Sequence, residues 1–487
     1  MKLQVYTALF FLISALNSSA NILMDNPAYM PGSEFAGLTD KSQYNAADHA
    51  GSPLGWLEKD SSILKTDLFF RYFRFSDAPG NTISSKNLVI PHVRVGKPGI
   101  ILFDLFYSPD IMEIKSDLTT QKLPLHRFGF GLAAGTKSGI FQFALHGDCF
   151  TGGVSEDSSE NKRVVLGSNE VSLHLGSKIH ELLSIGLYGG INGYLDSLDC
   201  QDTESQDPET EDRFFYGSFP IFGGFIDFGK DQFPLRSNFS LGIGFPKFVY
   251  VTKPSPEPFG NQDVIRADSV GWDWKVLAEI PAADFTINPA FKIGYRRITS
   301  QLYLPTEDNN PWEHDSKLSD SNWKISSFGM GFAVASDFLK YVNMNLEYSF
   351  KNLSFEYGPA FSYYSDQKYL FHNIVWGIQS NLKNLPFLRM PESMNLTLRA
   401  EYFNFRQSEL FNPWRTEQFM YVNPITNHSQ SHRYSPGTYI GASRFAGVKL
   451  GTGAEFANGL FGVNADFLFL RDGFDLGVKV THKIQKH

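Results

Sequence analysis

Residues 393–405 read Ser-Met-Asn-Leu-Thr-Leu-Arg-Ala-Glu-Tyr-Phe-Asn-Phe. Met394, Leu396, Leu398, Ala400 and Tyr402 alternate with Asn395, Thr397, Arg399 and Glu401, and a period of two places opposite chemistry on the two faces of a strand. The same pattern returns along the chain. Val342, Met344, Leu346 and Tyr348 oppose Asn343, Asn345 and Glu347; Phe474, Leu476, Val478 and Val480 oppose Asp475, Gly477, Lys479 and Thr481. Phe141, Phe143 and Leu145 share one face, and Gln142, His146 and Asp148 share the other. A soluble sandwich also alternates, but here segments of about ten residues recur with no helical block between them, which is the signature of a tilted strand crossing a bilayer. The fold class is all-β, a transmembrane antiparallel β-barrel.

Turns fall into two classes. Short ones are Gly96-Lys97-Pro98-Gly99, Lys137-Ser138-Gly139, Ser177 to Glu181, Pro281 to Asp284 and Ser336 to Lys340; longer polar ones cover 76–86, 109–125, 150–164, 196–214, 252–267, 304–322 and 406–437. Periplasmic turns and extracellular loops alternate in this way. Threading the chain through them gives about 18 strands from Ile63 to Ile484, beginning and ending on the periplasmic side, with 14 or 16 left open. The count requires Tyr341 to Tyr363 to hold a single strand. Small residues on one face, such as Gly129, Gly131, Ala133 and Gly135 opposite Phe128, Phe130, Leu132 and Ala134, suit a crowded interior or a strongly coiled strand.

Composition agrees. The 487 residues carry 43 basic and 51 acidic side chains, and the 45 Phe and 21 Tyr exclude a disordered chain. Mean hydropathy of −0.21 excludes a bundle of spanning helices. The acidic balance without a Lys/Arg cluster argues against a nucleic-acid partner. Lys2, the apolar run from Val5 to Leu16 and the small residues Ser18-Ser19-Ala20 form a secretory signal peptide over residues 1–20. Residues 21–62 lack alternation and are expected to be an N-terminal plug or a periplasmic segment, with 63–487 as the barrel. The localisation that follows is the outer membrane of a Gram-negative-type bacterium.

Met24-Asp25-Asn26-Pro27-Ala28-Tyr29-Met30 resembles the Asn-Pro-Ala element near the N-terminus of FadL-type outer-membrane hydrophobic-compound transporters. That resemblance implies a 14-stranded barrel, an N-terminal hatch that includes Asn26, Pro27 and Ala28, and passage of fatty-acid-like molecules. The chain departs from the pattern in its higher strand count and in the five residues that precede Asn26 after cleavage.

Catalytic patterns are missing. Gly129-x-Gly131 and Gly242-x-Gly244 sit inside strands, where no helix follows to cradle a dinucleotide, and no nucleophile elbow, Walker loop or His-Glu-x-x-His occurs. His146 and Asp148 read as lumen-facing polar residues, so no enzyme and no cofactor are expected. The acidic stretch from Asp199 to Asp212 reads as a solvated loop and not as a metal site. Cys149 and Cys200 are a candidate disulfide, with two free thiols as the alternative. Trp272, Trp274, Phe371, Trp376, Phe403 and Phe405 suit interfacial girdles. Phe411, Trp414, Phe419 and Tyr421, in or beside the 406–437 loop, suit an apolar loop that captures a ligand.

The leading expectation is therefore passive uptake of small hydrophobic molecules through a plugged lumen, with outer-membrane lipid and lipopolysaccharide as surroundings. Two other classes stand beside it. One is a diffusion porin for hydrophilic solutes, its selectivity set by Arg399, Glu401, Lys449 and Lys479; the other is a structural or secretion-associated barrel that binds a protein partner.

Overall fold

The computed structural model describes residues 62–485, apart from 79–80, 116–119, 154–161, 201–210, 230–233, 246, 254–260, 283–284, 305–315, 339–341, 359–366, 386–387, 412–418, 423–428, 433–439 and 471–472. The strands are β1 (Ser62–Ala78), β2 (Asn81–Lys97), β3 (Ile101–Lys115), β4 (Thr120–Gly135), β5 (Gln142–Gly153) and β6 (Lys162–His180). They continue with β7 (Leu183–Cys200), β8 (Glu211–Phe228), β9 (Leu235–Gly244 resumed at Lys247–Lys253) and β10 (Asn261–Ala278, prolonged by Ile280–Ala282). Next come β11 (Phe285–Leu304), β12 (Ser316–Phe338), β13 (Val342–Tyr357) and β14 (Gln367–Asn381). β15 (Asn395–Phe411), β16 (Ile440–Phe456), β17 (Phe461–Leu470) and β18 (Gly473–Gln485) complete the wall. A small ribbon, Phe419–Val422 against Ser429–His432, stands apart from the wall sheet.

Each strand pairs antiparallel with its neighbours in sequence, and β1 pairs with β18 through the register Asp67↔Thr481. The sheet is a closed barrel of 18 strands, which leaves no unpaired edge. Val342–Tyr357 is one strand, as the count requires. The interruption in β9 falls where the sequence has Pro220 and Pro246, neither of which has an N–H for the ladder.

The alternation read from sequence is the alternation of the wall. Leu398, Leu346 and Val480 are exposed on the outer surface, while Arg399, Glu347 and Thr481 turn inward. Phe103, Leu105, Phe128, Phe130, Leu241 and Leu450 belong to the same outward apolar belt. Trp274 and Trp376 face outward near the short-turn end, where amphipathic rings anchor a barrel at the headgroups. With an apolar belt outside, polar side chains inside and an even number of strands, the protein is an outer-membrane β-barrel. No helix among the described residues is long and apolar enough to cross a membrane.

The long loops need correction. Asp110 pairs with Leu125, Thr82 with Lys115, and Thr252 with Asn261, so most of the residues assigned to loops 76–86, 109–125 and 252–267 continue the strands. Strands of this length rise beyond the bilayer on the side opposite the short turns. There both faces meet water, and alternation fades although the ladder persists.

Inward glycines make room for aromatic rings. Phe106 covers its cross-strand partner Gly129, and Tyr188 lies over Gly223 and reaches the carbonyl of Leu241 with its hydroxyl at 3.4 Å. A Cβ at Gly223 would stand 2.5 Å from the oxygen of Leu241 and would meet the Tyr188 ring. Gly223→Val should therefore cost about 1–3 kcal/mol, the usual cost of overpacking. The check is urea unfolding in lipid vesicles, with Gly189→Ala as the milder comparison; an unchanged midpoint would mean the ring is free to move.

Candidate lumen site

The inward face carries charge in networks. At the seam, Asp67 accepts a hydrogen bond from Thr481 Oγ1 at 2.6 Å, and its other oxygen lies 3.3 Å from Lys65 Nζ and 3.6 Å from Lys479 Nζ. His92 bridges two carboxylates: Nδ1 is 3.3 Å from Asp67 and Nε2 is 2.6 Å from Asp104. Arg94 Nε donates to Asp104 at 3.1 Å. Asp67, His92 and Asp104 are buried, so four strands, β18, β1, β2 and β3, share one desolvated ionic cluster.

Two further groups line the wall. Arg399 Nη2 donates to Asp466 at 2.8 Å, with Lys449 Nζ 3.8 Å from the same carboxylate. Across β10 to β13, Arg296 pairs with Asp273 at 3.4 Å, beside buried Lys275, Lys292, Glu347 and Lys351. Asn238 donates to Asp227 on the neighbouring strand. Buried charges survive only when paired or hydrogen-bonded, and here the partners come from adjacent strands at matching height.

Arg399, Lys449 and Lys479 all take part in these inward networks, and Glu401 is half-buried on the same phase of β15. His146 is buried and inward, opposite Ser172; Asp148 pairs with Gly129 and Glu170 along the backbone. Asn26, Pro27, Ala28 and Trp414 lie outside the described residues. Phe411 ends β15, while Phe419 and Tyr421 belong to the ribbon. Cys149 is a free, exposed thiol on β5. The register sets Cys149 opposite Asn169, and Asn169 opposite Gly193, seven residues along β7 from Cys200. That separation is about 23 Å of strand, so the backbone register does not place the two positions of the candidate disulfide side by side. Among the described residues no cluster of His, Cys, Asp and Glu suits a metal ion.

Sequence reading missed Asp67, His92, Asp104 and the β10–β13 group. A local signal existed: Asp104 sits between Phe103 and Leu105, and Lys292 between Phe291 and Ile293, each a charge in the inward phase of an apolar strand.

No family model matches the chain, and no curated protein matches it. Solved structures share the barrel. The ferric citrate transporter FecA in its unliganded form is 9% identical over 87% of this chain and 79% of that one, with a TM-score of 0.43. The ferric yersiniabactin uptake receptor FyuA from Yersinia pestis is 6% identical over 88% and 81%, with a TM-score of 0.43. The copper transporter OprC is 8% identical over 88% and 81%, with a TM-score of 0.42. The likeness is one of fold. The resemblance to FadL-type transporters does not hold: 18 strands close this barrel where that family has 14.

Proposed function

We propose that the protein carries small hydrophilic, charged solutes across the outer membrane through its lumen. The observation that carries this reading is the inward face, where buried Asp67, Asp104, Lys275, Lys292, Glu347 and Lys351 are organised into networks, in a barrel of the strand number that leaves an aqueous channel. A fatty-acid-like molecule moving along that wall would take water from the partly exposed Arg296, Arg399 and Lys479 without replacing its hydrogen bonds. Hydrophobic uptake keeps as support only the aromatic loop residues read from sequence. Charged side chains on a pore wall set its ion preference.

The test is conductance of the full-length protein in planar bilayers under a KCl gradient, followed by swelling of protein-loaded liposomes in sugars and organic acids. Ion-selective openings and swelling support the reading. A barrel that passes neither, yet binds a long-chain fatty acid, overturns it. Arg399→Glu should move the reversal potential toward cation preference, because it converts an Arg–Asp pair at 2.8 Å into two adjacent negative charges; an unmoved potential would place the conducting path away from that wall.

A further inference from the structure

The outer surface carries charge as well as apolar side chains. On the outward phase of β9 to β14, Lys247 stands directly opposite Arg266. Asp268 lies two strands from Lys324 in one cross-strand row, and Lys324 stands opposite Glu356. In the row below, Arg297 and Lys368 lie three strands apart, with Ser326 and Ser354 between them. Arg266, Arg297 and Lys368 are exposed. Among the described residues of this band, five cations stand against the two carboxylates of Asp268 and Glu356, and Lys324 takes one of these, its Nζ 2.9 Å from Glu356.

Height on the wall decides what such a band can meet. Arg266 is eight residues along β10 from Trp274, and Lys368 is eight along β14 from Trp376, both tryptophans being outward near the short-turn end. Eight residues are about 26 Å of strand. At the usual barrel tilt of about 40° that is roughly 20 Å of rise, which brings the charges to the outer edge of an apolar band about 25 Å tall. Two details fit an anionic occupant. Lys247 and Arg266 face each other across the ladder, where like charges destabilise a pair of strands unless something negative lies between them. The Arg266 guanidinium carbon also sits 4.8 Å from the centroid of the Tyr303 ring on β11, a contact that positions the group without using its N–H donors.

We propose that this face of β9 to β14 binds a phosphorylated glycolipid of the outer leaflet, with Lys247, Arg266, Arg297 and Lys368 contacting its phosphates and the apolar belt below holding its acyl chains. Arginine and lysine donors suit phosphate oxygens. Arg266 and Arg297 lie on adjacent strands and Lys368 three strands further on, roughly 14 Å from Arg297 at about 4.8 Å per strand, so two phosphates on one sugar headgroup can be held at once. Below them Val270, Phe332, Leu346 and Ile374 offer an apolar wall to the chains. A soluble anion would gain nothing from that wall, which is why the lipid and not free phosphate is the occupant. The site lies on the outside of the barrel and does not rest on what passes through the lumen.

The test titrates the full-length protein in detergent with diphosphoryl lipid A and counts bound lipid by native mass spectrometry. The parent is expected to retain the lipid. Arg266→Ser, Arg297→Ser and Lys368→Ser combined should weaken it about tenfold, the product of three exposed ionic contacts worth about two- to threefold each. Lys122→Ser serves as the control: Lys122 is exposed on the outward phase of β4, on another sector of the wall, and its loss should change nothing. Equal affinity of the triple variant and the parent overturns the proposal, as does equal binding of lipid A stripped of its phosphates. Displacement by inorganic phosphate or by phosphatidylglycerol at matched concentration overturns the assignment to a glycolipid. A second readout needs only the parent protein: raising KCl from 0.1 to 1 M shortens the screening length from about 10 to about 3 Å and should weaken retention, whereas salt-independent retention would mean that the acyl chains alone bind.

Discussion

Asp67→Ala should loosen the barrel at the place where its first and last strands meet. The carboxylate is 2% exposed and gathers Thr481, Lys65, Lys479 and His92 around it. Removing it leaves two ammonium groups and a ring nitrogen facing one another in a desolvated pocket, and breaking such a buried arrangement by deleting one partner costs about 3–5 kcal/mol. Thr481→Val removes a single hydrogen bond from the same carboxylate and should cost about 1 kcal/mol. The measurement is the unfolding midpoint in urea in lipid vesicles, read in parallel by the loss of the compact, heat-sensitive band in detergent gels. An Asp67→Ala barrel as resistant as the parent would mean that backbone pairing of β1 with β18 alone closes the wall. The position matters because strand pairing inside the bilayer has no water to fall back on when it opens: a weakened seam should be seen first as slow or incomplete assembly.

That network also marks the limit of what the sequence makes legible. Alternation in 393–405, 341–350 and 473–481 assigns each residue to its face, and the structure agrees at Leu398 against Arg399 and at Val480 against Thr481, because facing depends only on neighbours in the chain. The strand number follows from the same local signal. Which inward residues meet depends instead on register and closure. Asp67 and Thr481 are 414 residues apart and touch only because the barrel closes as it does. The loop boundaries fail for a different reason. Residues 110–115 and 120–125 are paired strand, but outside the bilayer nothing selects apolar side chains for one face, so the periodicity that reports a strand is lost while its hydrogen bonds remain. The small-residue face lies between these cases: Gly129, Gly131 and Ala133 are visible in the sequence, yet only the register aligns Ala133 with Ala144 and His174.

Leu105→Arg should be the most damaging single change on the outer surface. Leu105 is 50% exposed on β3, between Phe103 and Tyr107 on the same outward phase and opposite Phe130 on β4, in the middle of the apolar belt. Arginine at the midplane of a barrel's lipid face costs about 2–4 kcal/mol, falling toward zero near the interfaces. Gln379→Arg offers the contrast: Gln379 is exposed, lies on the inward phase of β14 near the short-turn end, and its replacement should shift the unfolding midpoint by less than about 0.5 kcal/mol. Urea unfolding of the two variants in vesicles of defined thickness gives the comparison. A large loss for Leu105→Arg beside a small one for Gln379→Arg is what an apolar outside and a watered inside require. Equal losses would mean that the lumen at Gln379 is as dry as the lipid face, and the hydrophilic path would then have to run along another wall.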